Sequence, residues 1–541
     1  MPIIIPGASV LSSHRTQTDS RLPGNFLSKY PGKIPIFHET RGTMLPSSLP
    51  MTHFEEYMLL DGTDTYPMEC HCRFRFSGEF DRDQTELALA EALASHPLFY
   101  AVCRETKKYR YAWEFPKIPE RLEDRIEHGG EYSRILGVRL YWLEGICRDK
   151  YPEIMNEPLS LFSEPMLRLY IVEEKDAAGK TVRSDFIIKC HHSAGDGKGF
   201  GRFFLDFLIS YARSQGIELP EWQNIPKTVP ARLAERGWFG RSVWQNFLQV
   251  LICTMHLPRS LRLITHSVQP IVRQCIQNGT GKKELPIPED SCPPKGAPCI
   301  LFRKLPQDRS AAILQKCRDF GCTFNDILLQ AVWAGTKEWR LKNPELAYEG
   351  RRKWFRISVP MDLRVPGLEN MPACNIVSML FCDRKWEDVD LSASFRNSIH
   401  REMMKAKKYS LGFLLIQSMR DARFVCGHLH DAVKLRDCWA SMVLTNIGPM
   451  FPPKFFPFPR NENGELKIGS LVLEEIDSAS PIRSLTNASI CCTTYAGRLQ
   501  FSMIYDSRSM QQETADEYFD TILAAMWKIC DVEDPCLAEN R

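Results

Sequence analysis

A chain of 541 residues is too long for one ordinary core, so two domains are expected. Hydrophobic residues make up 44% and charged residues 25%, the balance of a globular protein and not of a disordered or fibrous one. Lys and Arg total 69 against 66 Asp and Glu; the formal charge of +3, spread over this length, makes no electrostatic case for nucleic-acid binding.

Residues 1–45 are rich in Pro, Ser, Gly and Thr without periodicity and read as a mobile leader. The opening Met1-Pro-Ile-Ile-Ile-Pro6 lacks a basic region and is too short and proline-broken for a secretory signal. With an odd count of 19 cysteines, this points to a reducing, cytoplasmic setting. The pairs around His71 (Cys70, Cys72) and at Cys491-Cys492 stand in alternating text, where neighbours point to opposite faces. No second ligand pair follows either, so they read as small buried hydrophobes and not as a metal or redox site.

Alternation predicts a strand over 69–76, closed by Ser77-Gly78. Asp81-Arg-Asp-Gln84 then offers a helix cap, with Leu87, Ala90 and Ala94 at helical spacing, and Ser95-His96-Pro97-Leu98 ends that helix. Residues 166–174 and 181–190 alternate on either side of a turn at Asp176-Ala-Ala-Gly179-Lys180, which predicts a hairpin. His191-His-Ser-Ala-Gly-Asp-Gly197 follows directly. A helix opens after it, with Phe200, Phe203, Phe204, Phe207, Leu208 and Tyr211 on one face and Gly216 as its stop. The motif therefore sits at a strand-to-helix turn, where a rigid scaffold can present a side chain.

Residues 217–297 carry prolines and basic segments, ending in Pro286-Ile-Pro-Glu and Cys292-Pro-Pro-Lys, and read as a connection with some helix in it. No run reaches the ~18 apolar residues that span a bilayer. The nearest, 243–257, is broken by Gln245, Asn246, Gln249 and His256. It reads as a buried or linker helix or, since Arg259 and Arg262 follow, as a peripheral membrane contact over 243–264. A second α/β pattern starts near Cys299. It includes a helix after Thr323-Phe-Asn-Asp326, an extended stretch over 356–364, strands over 442–447, 490–494 and 499–505, and an amphipathic helix from Ala515. The expected division is an N-terminal lobe over 46–216, a connection over 217–297 and a C-terminal lobe over 298–541.

Two adjacent histidines after a strand cannot both face one way, so one of His191 and His192 is expected to meet a substrate. A neutral imidazole there can take a proton from a hydroxyl, amine or thiol. Asp196 is placed to brace the turn, by accepting backbone N–H bonds or by pairing with a distant arginine. Glycines at 195, 197, 199 and 201 allow close backbone approach, but they fit neither GxGxxG nor a phosphate loop. A metal site and a braced turn without chemistry are the other readings of the same residues.

The stretch 191–197 resembles the HHxxxDG signature of the thioester-dependent acyltransferases. That superfamily includes chloramphenicol acetyltransferase, condensation domains of peptide synthetases, wax ester synthase/diacylglycerol acyltransferases, plant BAHD enzymes and alcohol acetyltransferases. Phe74-Arg-Phe-Ser-Gly78 with His96-Pro97-Leu98, Thr323-Phe-Asn-Asp326, Val359-Pro-Met-Asp-Leu-Arg364 with Asn375, and Thr445-Asn446-Ile-Gly448-Pro449 resemble further segments of the same group, in the same order. The resemblance implies an α/β fold of two chloramphenicol-acetyltransferase-like lobes, each a mixed sheet covered by helices, with a tunnel between them. His192 would match the general base, Asp196 and Gly197 the structural end of the motif, and Arg364 is the candidate partner of Asp196. Thr445 and Asn446 would lie where an oxyanion or substrate is oriented, with His191 in support. Implied is transfer of an acyl group from acyl-CoA or an acyl carrier to a hydroxyl or amine, without a covalent acyl-enzyme, a permanently bound cofactor or a metal. The alternatives are a stand-alone amide-forming condensation enzyme and a non-catalytic binder of acyl ligands. A monomer is expected, with a carrier protein as a possible partner. The DFGWG segment of the plant enzymes and a carrier attachment motif are both missing.

Overall fold

The computed structural model describes residues 44–63, 66–107, 110–272, 298–426, 438–483 and 485–532. All but the last two residues of the expected leader, and the proline-rich end of the expected connection, lie outside them. The first part of the chain gives β1 (Ser48–Pro50), α1 (His53–Asp61), β2 (Glu69–Ser77), α2 (Arg82–Ala94), α3 (Pro97–Tyr100), β3 (Val102–Thr106) and β4 (Arg110–Glu114). There follow β5 (Ile126–His128), β6 (Tyr132–Ile135), β7 (Val138–Glu144), α4 (Cys147–Asn156), β8 (Leu167–Lys175), β9 (Thr181–His191), α5 (Gly197–Ser214), α6 (Val243–Met255) and α7 (Leu257–Thr265). The remainder gives β10 (Cys299–Lys304), α8 (Gln307–Asp319), α9 (Phe324–Lys342), β11 (Phe355–Asp362), β12 (Val377–Arg384), α10 (Ala393–Lys408) and α11 (Phe413–Cys426). It closes with β13 (Met442–Pro449), β14 (Lys467–Ile468), β15 (Leu471–Ala479), β16 (Ala488–Tyr495), β17 (Arg498–Tyr505) and α12 (Gln512–Cys530).

The fold is α/β and two-lobed. One mixed sheet has the order β14-β15-β2-β9-β8-β7-β6-β5, with β7 and β8 its parallel pair. The other has the order β10-β17-β16-β13-β11-β12, with β13 parallel to both β16 and β11. A small third sheet, β1-β4-β3, stands apart. The first sheet does not close within the N-terminal part of the chain: β15, from the far end, pairs with β2 at a register that sets Asp477 opposite Arg73. Those two side chains form a buried ion pair. A sheet therefore bridges the expected division at 216 and 298.

Local sequence explains why the elements around the site form. Asp81 caps α2 by accepting the Gln84 N–H, and Thr323 and Asp326 close a capping box at α9. The phenylalanines of α5 enter the core as their spacing predicts. Phe204 stacks on Phe74 of β2 with ring centroids 3.7 Å apart, and Phe451, from beyond β13, stacks on both. In the second lobe α9 packs on α12, with Trp339 edge-on to Tyr518 at 5.2 Å. The connection is tied to the first lobe through Arg236, which donates to both carboxylate oxygens of the fully buried Glu55 at 2.7 and 2.8 Å.

Of the readings of 243–257, burial is the one corrected: the residues form α6 and the start of α7 with the apolar face outward, and Gln249 and Cys253 are the buried residues of α6.

Candidate active site

β9 ends where its partner β2 begins: Glu69 pairs with His191, and the His192 N–H donates to Met68 O at 2.7 Å. The chain turns over residues 193–195 and re-enters as α5. Asp196 is the N-cap of that helix, its Oδ1 accepting the Gly199 N–H at 2.8 Å. Gly199 is glycine for lack of room. A Cβ there would stand 3.2 Å from Cys374 N and 3.3 Å from Cys374 O, so the first turn of α5 lies against a backbone segment of the other lobe.

That segment, 373–376, is held from several sides. The Ala373 N–H donates to His96 Nδ1 at 2.9 Å, and His96 Nε2 meets Asp206 at 3.0 Å. Asn375 Nδ2 donates to the carbonyls of His192 at 2.6 Å and Ser193 at 2.8 Å, and the Ile376 N–H donates to Asp196 Oδ2 at 2.9 Å. Arg364 completes the arrangement. Its Nη2 donates to Asp196 Oδ1 at 2.8 Å, and its Nη1 to Asp362 Oδ1 at 3.0 Å. Burial acts to raise the Asp196 pKa, but the Arg364 charge and the Ile376 and Gly199 N–H groups outweigh it and hold the carboxyl below its ordinary value. Asp196 is thus favoured as the anion, with both carboxylate oxygens engaged by Gly199, Arg364 and Ile376.

The two histidines separate as a strand end requires. His191 is 1% exposed; its Nδ1 accepts the Ser193 N–H at 3.3 Å and lies 2.8 Å from Ser193 Oγ. Burial, with the neighbouring His192, pushes its pKa down to about 3. His192 is half-buried and lines a cavity of about 180 Å³. Its Nδ1 is sealed inside with no hydrogen-bond partner among the described residues, and the Phe54 ring stands edge-on at 6.5 Å. Burial lowers the His192 pKa, opposed by the His192 carbonyl, the Asp196 charge and Asn375, so the ring is neutral at pH 7.

Gly197, Thr445 and Asn446 line the same cavity. Thr445 Oγ1 lies 3.3 Å from Ser480 Oγ, which lies 2.6 Å from Ser489 Oγ. Asn446 Oδ1 accepts the Gly448 N–H at 3.1 Å, which fixes the amide and leaves its Nδ2 as a donor. Cys70, His71 and Cys72 of β2 also contribute atoms to the cavity wall. Burial, aided by Lys189, brings the His71 pKa down to about 3, and burial pushes the Cys72 thiol up to about 12, so that thiol is protonated. Among the described residues no three His, Cys, Asp or Glu side chains are grouped to hold a metal ion.

Sequence reasoning missed a polar group on the cavity wall. Asp61 of α1 accepts from Tyr57 Oη at 3.2 Å and from Arg483 Nη2 at 2.8 Å, while Arg483 Nε and Nη1 have no hydrogen-bond partner among the described residues. The signal for α1 was present: Thr52-His-Phe-Glu55 is a capping box ahead of an apolar run. Nothing local ties Arg483 to it.

No family model and no curated protein matches this chain. Solved structures do match by shape. The TRI3 trichothecene 15-O-acetyltransferase from Fusarium sporotrichioides aligns with a TM-score of 0.61 at 13% identity, over 89% of this chain and 95% of that one. The first condensation domain of the CDA synthetase gives 0.58 at 13%, over 90% and 97%. The epimerization domain from the third module of tyrocidine synthetase B gives 0.57 at 12%, also over 90% and 97%. Across nearly its whole length, this chain has the fold that those condensation-type domains share with an O-acetyltransferase.

Proposed function

We propose that the protein is an acyltransferase that moves an acyl group from a thioester, acyl-CoA or an acyl carrier, to a hydroxyl or amine acceptor, with His192 as general base. The observation that carries this reading is a neutral imidazole on a cavity wall, its Nδ1 sealed inside, which leaves Nε2 as the nitrogen that can meet a substrate. The shared fold supports transferase chemistry of this class, since the similar structures are named as an acetyltransferase and as condensation domains.

A thioester carbonyl is already reactive, so the protein must supply a base, an oxyanion donor and alignment. His192 takes the acceptor proton as the acceptor oxygen or nitrogen bonds to the carbonyl carbon, placing negative charge on the carbonyl oxygen. The Asn446 Nδ2 group, supported by the Thr445 and Ser480 hydroxyls, donates to that oxyanion. Collapse breaks the carbon–sulfur bond, and the imidazolium returns its proton to the leaving thiolate. No acyl-enzyme forms. General-base catalysis is worth about 10²–10⁴-fold and one oxyanion donor about 10²–10³-fold. Fixing two substrates in one cavity adds a proximity term. Asp196 and Arg364 are positioning residues, holding the His192 turn against the other lobe.

The test is to incubate the full chain with a panel of acyl thioesters paired with alcohols and amines, following free thiol and identifying products by mass spectrometry. Acceptor-dependent thiol release with an ester or amide product is expected. Intact thioester with every acceptor would overturn the reading.

A further inference from the structure

α6 is oriented the wrong way round for a helix of a free-standing surface. Trp244, Phe247, Leu251 and Met255 recur every three or four residues and are between 47% and 71% exposed. Its buried positions are only Gln249 and Cys253, and Gln249 Nε2 donates to Tyr409 O at 3.2 Å. Leu257 and Leu261 continue the outward series on α7, and the Trp244 and Phe247 rings stack at 5.4 Å. A contiguous apolar patch of this kind marks an interaction surface.

Charge says what it meets. No Asp or Glu occurs between Glu235 and Glu284. Arg262 is exposed on α7, and Lys405, Lys407 and Lys408 are exposed at the end of α10. That end touches α6 through Tyr409, whose ring stands 5.3 Å from His256. Of the nearby acids, Glu402 is taken up by Arg259 at 2.6 Å and Arg384 at 2.8 Å, while the exposed Asp421 of α11 accepts from Gln417 at 2.8 Å. Among the described residues no helix is long and apolar enough to cross a membrane. An outward Trp–Phe pair with leucines, bordered by Lys and Arg and with no acid on α6 or α7 themselves, has the chemistry of a helix lying in a bilayer interface.

We propose that the outer faces of α6 and α7 dock the protein on a lipid bilayer carrying anionic headgroups. The placement also suits supply of a lipophilic substrate, a consequence that rests on the acyl-transfer reading. Behind α7 a small pocket lined by leucines such as Leu263 and Leu411, and by Arg259, Arg356 and Asp383, shares Met379 and Phe381 with the wall of the His192 cavity.

The test is flotation of the full chain with vesicles of phosphatidylcholine, with and without phosphatidylserine. Wild type should float with the anionic vesicles and bind about tenfold less to neutral ones, as attraction by several basic side chains requires. The double variant Trp244→Ala/Phe247→Ala should lose about tenfold in binding to anionic vesicles while keeping its melting temperature and its thiol release with water-soluble substrates. Wild type that stays unbound on anionic vesicles, or a double variant that floats like wild type, would overturn the proposal. So would a chain that ignores vesicles but forms dimers that the double substitution dissolves, which gives the face to a second copy. Lost flotation with full thiol release separates failure of docking from failure of the acyl-transfer reading.

Discussion

Replacing Asp196 with alanine removes a helix cap, the acceptor of the Ile376 N–H and the partner of Arg364 in one step. Loss of the cap costs about 1 kcal/mol, and stripping a buried ion pair of one partner costs about 3–5 kcal/mol. Arg364 keeps Asp362 at 3.0 Å and Cys374 O at 3.2 Å, and its side chain is 21% exposed. These retained contacts place the ion-pair part near its lower end, about 3 kcal/mol, and so the total near about 4 kcal/mol. Arg364→Met should cost less, since Asp196 keeps both backbone donors. Because the two residues act as a unit, the double variant should be no less stable than Asp196→Ala, giving a coupling of about 1–3 kcal/mol. Activity should fall through kcat, by about 10²-fold if the His192 turn shifts by an ångström. Denaturant melts and thiol-release kinetics on the four proteins measure both effects. The sign with pH is fixed. The folded Asp196 pKa lies below its ordinary value, so its stabilisation is fully present above about pH 5 and is lost as pH falls below the unfolded value of about 3.9, through the folded pKa. The gap between wild type and Asp196→Ala should therefore be constant near neutrality and close only in acid. An unchanged melt with abolished turnover would refute the bracing role and put Asp196 on the reacting atoms.

Because burial lowers the His192 pKa, kcat/KM should be flat through neutral pH, with its acidic limb below the ordinary histidine value of about 6.5; a limb above that value would contradict the assigned environment. Asn446→Ala should lower kcat by about 10²–10³-fold with little change in KM, measured on one acceptor at saturating thioester. Gly199→Ala should cost about 1–3 kcal/mol, because the added methyl meets Cys374 backbone and not a yielding side chain, and differential melting would show it.

The features readable in the sequence were those set by neighbours along the chain. The β8–β9 hairpin, the strand-to-helix turn at 191–197 and the phenylalanine face of α5 rest on period and turn chemistry alone. Asp196 was legible as a brace of its turn, through backbone N–H bonds or a distant arginine, whereas the choice of Arg364 as that arginine came only through the family resemblance. What escaped depends on tertiary context. β15 was not read as a strand, and its place beside β2 is set by long-range pairs such as Arg73 with Asp477. Tyr57, Asp61 and Arg483 meet across more than 400 residues of sequence, where no local pattern links them. The helical period of α6 was visible, but a period says that one face is apolar and not which way that face points.

The central claim is that the proton leaves the acceptor through His192, and single-turnover transfer by His192→Ala beside wild type tests it most directly. The variant should keep its melting temperature and its affinity for thioester while the transfer rate drops by about 10²–10⁴-fold across neutral pH. Transfer at the wild-type rate, with the same pH dependence, would show that another group carries the proton.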